Sequence, residues 1–485
     1  MPPVIAGAGM ETATGLWRMG ATQLAQAIRS RRTSSREVIE VHLRRIEAVN
    51  PVINAVTILL AEEALDAADA ADRLLAAGGE LPPLLGVPFT VKGNIDLLHA
   101  PTTQGLKVST DAYPTRDAPT VERLRAAGAI PLGHTNLANL AVRWHCVSEV
   151  WGATINPWDR NLTPGASTGG EAAALASGMT PLGIGADGLG SLRWPAQCCG
   201  VSALKPTLGR IPNASTVEPA GEPIGAQLLV AVGPMARRVA DLRAAFEVTA
   251  GPTWRDPWCV PAPLQGPEPD KPVRVALVVD PAARGVAPQV ADGLRKAAAA
   301  LDDAGYSVQE AEPPSIEEAA RAALAMLNTP ECRAVILPML NMLPADTRQF
   351  LSAFYGLAGG PDPVAALSAF VTRQTVLRAW GEFQETHSLI LAPISTDIPF
   401  KADDSDLDHD QVARTIRNLR MTLAVNALGL PAVAVPVGVA GGLPQVIQLI
   451  GPRYREDLCL DAAAALEERL GIFTPIDPRK DRIQQ

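Results

Sequence analysis

PGASTGGEAAALASG (residues 164–178) and GIGADGLGSLRWPAQCCG (183–200) decide how this chain is read. Each is a glycine-rich turn presenting one hydroxyl, Ser167 in the first and Ser191 in the second, 24 residues apart. Around them, residues 172–177 read as a helix stopped by Gly178, and 181–186 as a strand feeding the Ser191 turn. Upstream, Gly86-Val-Pro-Phe-Thr-Val-Lys92 reads as a short buried strand over 87–91 that ends on a lysine. Tight backbone around two serines, preceded by a buried lysine, is a pattern for hydrolysis with an amine as the base.

Outward from this core, helical periodicity covers 21–31 and 36–49, with Ser34 or Ser35 as N-cap and Pro51 ending the second helix. An alanine-rich helix follows over 61–77, then a helix over 120–127 and a strand over 129–133. Residues 251–272 are rich in proline and glycine and read as a linker or insertion. Beyond it a strand (273–279), helix (289–304), strand (306–311) and helix (316–327) form a βαβα unit. A strand over 388–392, a long helix over 411–427, two strands in GLPAVAVPVG…GLPQVIQLIG and a helix over 457–470 complete the chain. Strands interleaved with helices give an α/β class, with a central mixed sheet flanked by helices on both faces.

Bulk properties narrow the function. With 42 Lys and Arg against 51 Asp and Glu, the net charge is −9 and no basic block exists, which excludes nucleic acid as a partner. The six cysteines have neither CxxC nor Cys/His ligand spacing, so no metal is expected, and scattered thiols fit a reducing cytoplasm. The start, MPPVIAGAGMETATG, lacks the basic head and apolar core of a signal peptide. The longest apolar run, 428–443, is broken by Pro431 and Pro436 and is not expected to span a membrane. A homodimer stays open.

A serine hydroxyl needs a base within hydrogen-bond reach. The six histidines form no recognisable arrangement, whereas Lys92, at the end of an apolar strand, can lose its charge if burial lowers its pKa. Gly165-Ala-Ser-Thr-Gly169 also fits the nucleophile elbow of an α/β-hydrolase esterase. That elbow needs a strand directly before it, where Pro164 cannot donate to a ladder, and a downstream acid and histidine, for which only the charged Asp408-His409 loop offers itself. A non-catalytic binding protein of the same fold is the remaining alternative.

Lys92 and the two serine loops resemble the amidase signature family. Leu132-Gly-His-Thr-Asn136, Asn156-Pro-Trp158, Leu204-Lys-Pro-Thr-Leu-Gly-Arg210, Gly233-Pro-Met-Ala-Arg237 and Gly429-Leu-Pro-Ala432 are similar to it in the same order. The resemblance covers about 20–472 and implies one amidase-type domain over 1–485. Its parts would be N-terminal helices (20–80), a catalytic core (81–250), an insertion (251–385) and a return to the core (386–472). It implies cleavage of a small amide by water without a cofactor, or an amidotransferase-type subunit working with partner chains. It implies that Ser191 attacks the carbonyl, Ser167, after a cis bond from Ala166, relays the proton, and neutral Lys92 receives it. The oxyanion hole would be the backbone N–H groups of Gly188, Leu189, Gly190 and Ser191. Thr168 would support Ser191 or Lys92, and Asp187 and Arg193 would pair to hold the turn. The pocket would be lined by Asn139, Leu140, Ala141, Val142 and Arg143, with residues 212–225 and 337–357 over the entrance. An apolar or aryl amide is expected, with a carbamate (urethane) or ester within chemical reach.

The sequence departs from the family at three places: Ala166 for glycine, Gly93 for an acidic residue, and Gly188-Leu189 for a bulky residue and glycine. Were position 189 left-handed, its leucine would cost about 1–2 kcal/mol.

Overall fold

A computed structural model describes residues 15–217, 222–359, 362–403 and 407–478. The N-terminal stretch 1–14 and residues 218–221 of the expected cover lie outside the described residues. Among the described residues thirteen strands are formed: β1 (Val56–Leu59), β2 (Pro88–Lys92), β3 (Ile130–Thr135), β4 (Val147–Ser148), β5 (Gly152–Ala153), β6 (Leu182–Asp187), β7 (Ser202–Lys205), β8 (Ala231–Ala236), β9 (Arg274–Leu277), β10 (Ser307–Glu310), β11 (Leu389–Pro393), β12 (Ala432–Ala440) and β13 (Leu443–Ile450). Eleven of them make one mixed sheet in the order β1-β3-β2-β6-β8-β7-β12-β13-β11-β9-β10, and β4 and β5 form a separate hairpin. The neighbours β3, β2 and β6 run parallel, as do β11, β9 and β10; the remaining pairs are antiparallel.

Each strand sends alternate side chains to opposite faces, so the sheet carries a core on each side. On β12, Val433, Val435 and Val437 join one apolar cluster and Ala434 the other. The first cluster is closed by the helices Ala21–Arg29, Val239–Thr249, Pro288–Asp303 and Glu456–Leu470. The second is closed by Ser35–Ile53, Gly169–Ala176, Arg193–Cys199, Ile316–Met326 and Arg420–Leu428. Helices therefore flank both faces, as the alternation of elements predicts.

Two expectations are corrected. Pro51 does not end its helix, which continues to Ile53 and closes on Asn54 at φ 54°. Its N-cap is Ser34, whose hydroxyl accepts from Glu37 N. The long helix expected over 411–427 is two, His409–Asn418 and Arg420–Leu428. The break at Leu419 lets Asn418 O accept from Thr396 N, and buried Arg420 reaches Asp280 Oδ1 at 2.9 Å, so tertiary bonds override helical continuity. Residues 251–272 hold no helix or strand, as expected of an insertion. Among the described residues no helix is long and apolar enough to cross a membrane, and all six cysteines are free thiols.

Candidate active site

Lys92, Thr135 and Asp187 are the last residues of β2, β3 and β6, so the polar groups gather at the carboxyl edge of three parallel strands, where open α/β sheets bind ligands. Phe89 and Val91 point into the first core, which turns Thr90 and Lys92 to the opposite face. On that face β6 carries Gly183 and Gly185. A Cβ at Gly185 would lie 2.5 Å from Thr168 Cγ2, so the glycine lets the Ser167 loop lie directly on the sheet.

Lys92 is 1% exposed, and its Nζ makes a 2.7 Å hydrogen bond with Ser167 Oγ. The Ala166–Ser167 bond is cis, as the resemblance implies. Burial lowers the Lys92 amine to about 7, against opposing pulls from Cys146 and Asp187. Burial also pushes the Cys146 thiol up to about 11, so the side chain beside the amine stays protonated. Ser191 is 8% exposed. Among the described residues no hydrogen bond joins the hydroxyls of Ser167 and Ser191; their loops meet through the backbone, Thr168 N donating to Ser191 O at 3.3 Å.

The Ser191 turn is built around Asp187. Gly190 N donates to its Oδ1 at 2.7 Å and Leu192 N to its Oδ2 at 3.2 Å. Arg193 grips the same carboxylate, and Asn426 Nδ2 adds a bond at 2.9 Å. Burial alone would raise Asp187, but the charge and hydrogen bonds of Arg193, with Lys205 and Asn426, hold it well below the usual carboxylate range. The left-handed position falls on Gly190 at φ 96°, not on Leu189, so the leucine carries no such strain.

Three expected roles meet a different geometry. Gly190 N–H is already held by Asp187, which removes it from the set of amides free to face a substrate oxygen. The Thr168 hydroxyl donates to Ala186 O at 3.3 Å, not to Ser191 or Lys92. The loop 139–143 is pinned to the Ala345–Leu357 helix, with Asn139 Nδ2 donating to Thr347 Oγ1 at 3.0 Å and buried Arg143 paired with Asp346. Leu140 and Val142 pack with Leu343 and Leu351, and Ala141 turns at φ 58°.

The residue after this loop, Trp144, touches the Ser191 turn. Trp144 Nε1 donates to Leu189 O at 3.2 Å, and the ring of Trp144 meets Phe350 edge-on at 5.6 Å and Phe354 at 6.3 Å. The Ala345–Leu357 helix thus packs on Trp144 through Phe350 and Phe354. Sequence reasoning set 337–357 over the entrance without singling out Phe350 and Phe354, and it did not name Glu171, Asn426 and Gln448. The last three share a signal: a lone polar side chain inside an apolar run, in GGEAAALASG, MTLAVNALG and VIQLIG.

The family model described as Amidase matches residues 37–460. The chain belongs to the amidase signature family. It is 41% identical to an indoleacetamide hydrolase of Bradyrhizobium diazoefficiens over 462 residues, covering 94% of this chain and 88% of that protein. It is 32% identical to a subunit of the glutamyl-tRNA(Gln) amidotransferase of Synechococcus sp. strain WH7803, covering 94% of this chain and 98% of that one. A solved structure of 6-aminohexanoate cyclic dimer hydrolase with substrate superposes with a TM-score of 0.81 at 27% identity, covering 96% of this chain and 99% of that one. The fold and the amide-hydrolase chemistry are those of this family.

Proposed function

We propose that this amidase hydrolyses a small amide bearing an aryl or otherwise apolar acyl group, through an acyl-enzyme on Ser191. The observation that carries the reading is the buried 2.7 Å contact between Lys92 Nζ and Ser167 Oγ. Ser167 O–H donates to the uncharged amine, and Ser191 passes its proton to Ser167 as its Oγ attacks the carbonyl carbon. The proton returns through Ser167 to the leaving nitrogen as the C–N bond breaks, and water then cleaves the ester on Ser191. Catalytic hydrogen bonds tighten in the substrate complex, so the missing Ser167–Ser191 link closes when the Ser191 hydroxyl rotates over the acyl carbon.

Asp187 binds the amides of Gly190, Leu192 and Arg193. That leaves Gly188, Leu189 and Ser191 N–H of the expected set to meet the oxyanion, each worth about 2.7–4 kcal/mol in comparable sites. Asp187 and Arg193 hold that turn in place.

Trp144, Phe350 and Phe354 favour an aryl acyl group, which agrees with the 41% identity to an indoleacetamide hydrolase. A carbamate offers Ser191 the same carbonyl and is within reach of the same steps. A second reading, an amidotransferase-type subunit, is favoured by the 32% identity to such a protein. Product release from indoleacetamide and other arylacetamides, acetamide, anilides, esters and carbamates separates these. Turnover of arylacetamides by the chain alone supports the first reading; turnover of none of the panel contradicts it.

A further inference from the structure

Glu171 is a buried carboxyl that the relay does not use. It lies in the first turn of the Gly169–Ala176 helix, four residues after Ser167, with no exposure. Thr90 Oγ1 bonds its Oε1 and Thr135 Oγ1 bonds its Oε2 at 3.0 Å. Both threonines belong to the surroundings of Lys92. Thr90 precedes Lys92 by two residues and shares its face of β2, and Thr135 is the cross-strand partner of Lys92 on β3. The slot for the carboxyl is opened by Gly183, where a Cβ would stand 2.0 Å from Glu171 Oε1. One side chain therefore ties the helix that follows Ser167 to the strand that carries Lys92 and to that strand's neighbour.

The charge on this carboxyl bears on the amine. A carboxylate held by Thr90 and Thr135 would add to the pull of Asp187 that draws a proton onto Nζ. Among the described residues Glu171 forms no ion pair. Arg193 is committed to Asp187, and Arg237 at the end of β8 donates to the carbonyls of Leu175 and Thr180. Burial keeps His42 and His134 neutral, each lowered to about 4, and His134 Nε2 bonds Ile95 O. Cys146 is a protonated thiol, its pKa raised by burial. Burial raises Glu171 to about 8, outweighing the two threonine bonds. The protonated form also has a consistent set of bonds: Oε2–H donates to Thr135 Oγ1, and that hydroxyl donates onward to Val91 O, 3.5 Å away.

We propose that Glu171 is a positioning residue acting as an uncharged carboxylic acid, clamping the Lys92 strand to the Ser167 helix while adding no charge beside the amine. The proposal rests on the relay through Ser167. Its test is the pH dependence of kcat/KM for Glu171→Gln and Glu171→Ala on an amide the wild type turns over. Gln keeps the neutral bonds, so Glu171→Gln is expected within about threefold of wild type, with the acid-side midpoint unmoved. Glu171→Ala is expected to lose about 30-fold or more in kcat with KM little changed. A midpoint moved by about one unit or more to lower pH in Glu171→Gln would mean that a carboxylate had been charging Lys92, and overturns the proposal. Wild-type kcat in Glu171→Ala overturns it equally. If Glu171→Ala fails to fold, the double variant Thr90→Val, Thr135→Val removes both partners at constant size and is read the same way. Failure of the relay itself shows separately, as a wild-type profile in Lys92→Ala.

Discussion

Arg193 and Asp187 form a fully buried two-point ion pair, Nε to Oδ2 at 3.0 Å and Nη2 to Oδ1 at 3.2 Å, beneath the turn that carries Ser191. The pair is completed by Asn426 Oδ1, 2.5 Å from Arg193 Nη2, and by Gln448 Oε1, 2.9 Å from Nη1. Removing one partner strands the other charge out of water, which costs about 3–5 kcal/mol. Asp187→Ala is therefore expected to lower stability by that amount in urea unfolding. It should also abolish turnover, because the amides of Gly190 and Leu192 lose their anchor. Unchanged stability would mean that the turn holds itself.

Lys92 is expected to show opposed effects on stability and activity. Its amine falls from 10.5 when exposed to about 7 when buried, so between those values the unfolded chain binds more protons than the folded one. Stability from this group rises with pH across that window, and the whole penalty is present below pH 7. Lys92→Met, of similar length and apolar, should raise stability at pH 7 by at least about 1 kcal/mol while eliminating amide hydrolysis. A less stable Lys92→Met protein would contradict the burial argument.

Phe350 packs on Trp144, not on the sheet, so its loss should act on acyl-group preference. Phe350→Ala is expected to cut the kcat/KM ratio of an arylacetamide to acetamide by about tenfold or more. It should cost about 3–5 kcal/mol of stability as well, since the ring is 1% exposed. An unchanged ratio would place the aryl group elsewhere.

Ser191→Ala should retain the fold and lose turnover, and an aryl ester should label the wild type but not the variant by one acyl mass. Labelling of Ser191→Ala would assign the nucleophile to another side chain.

Much of this fold was legible because local and tertiary preferences agree. The helix at Ala61–Ala77 and the strands around Lys92 and Asp187 follow from alternation, glycine stops and apolar runs. β8 was not legible: its AVGPMA carries Gly233 and Pro234 in a strand interior, and it forms because β6 and β7 pair with it on either side. Lys92 and the two serine loops stood out as a set because tight glycine turns advertise their hydroxyls, and the structure sets Lys92 Nζ 2.7 Å from Ser167 Oγ. Glu171 did not stand out, since its meaning lies in Thr90, Thr135 and Gly183, far apart in sequence and adjacent only across three strands. The contacts of the 139–143 loop were hidden for the same reason, its partners lying some 200 residues downstream.

The central claim is that an uncharged amine at Lys92 accepts the proton leaving Ser191. It is tested most directly by kcat/KM for an anilide or arylacetamide across pH 5–10, in the wild type and in Lys92→Ala. The account predicts a wild-type rate that climbs with pH through a midpoint of about 7, as Nζ sheds its proton, and a residual Lys92→Ala rate without that rise. The same midpoint in both proteins would show that another group is the base.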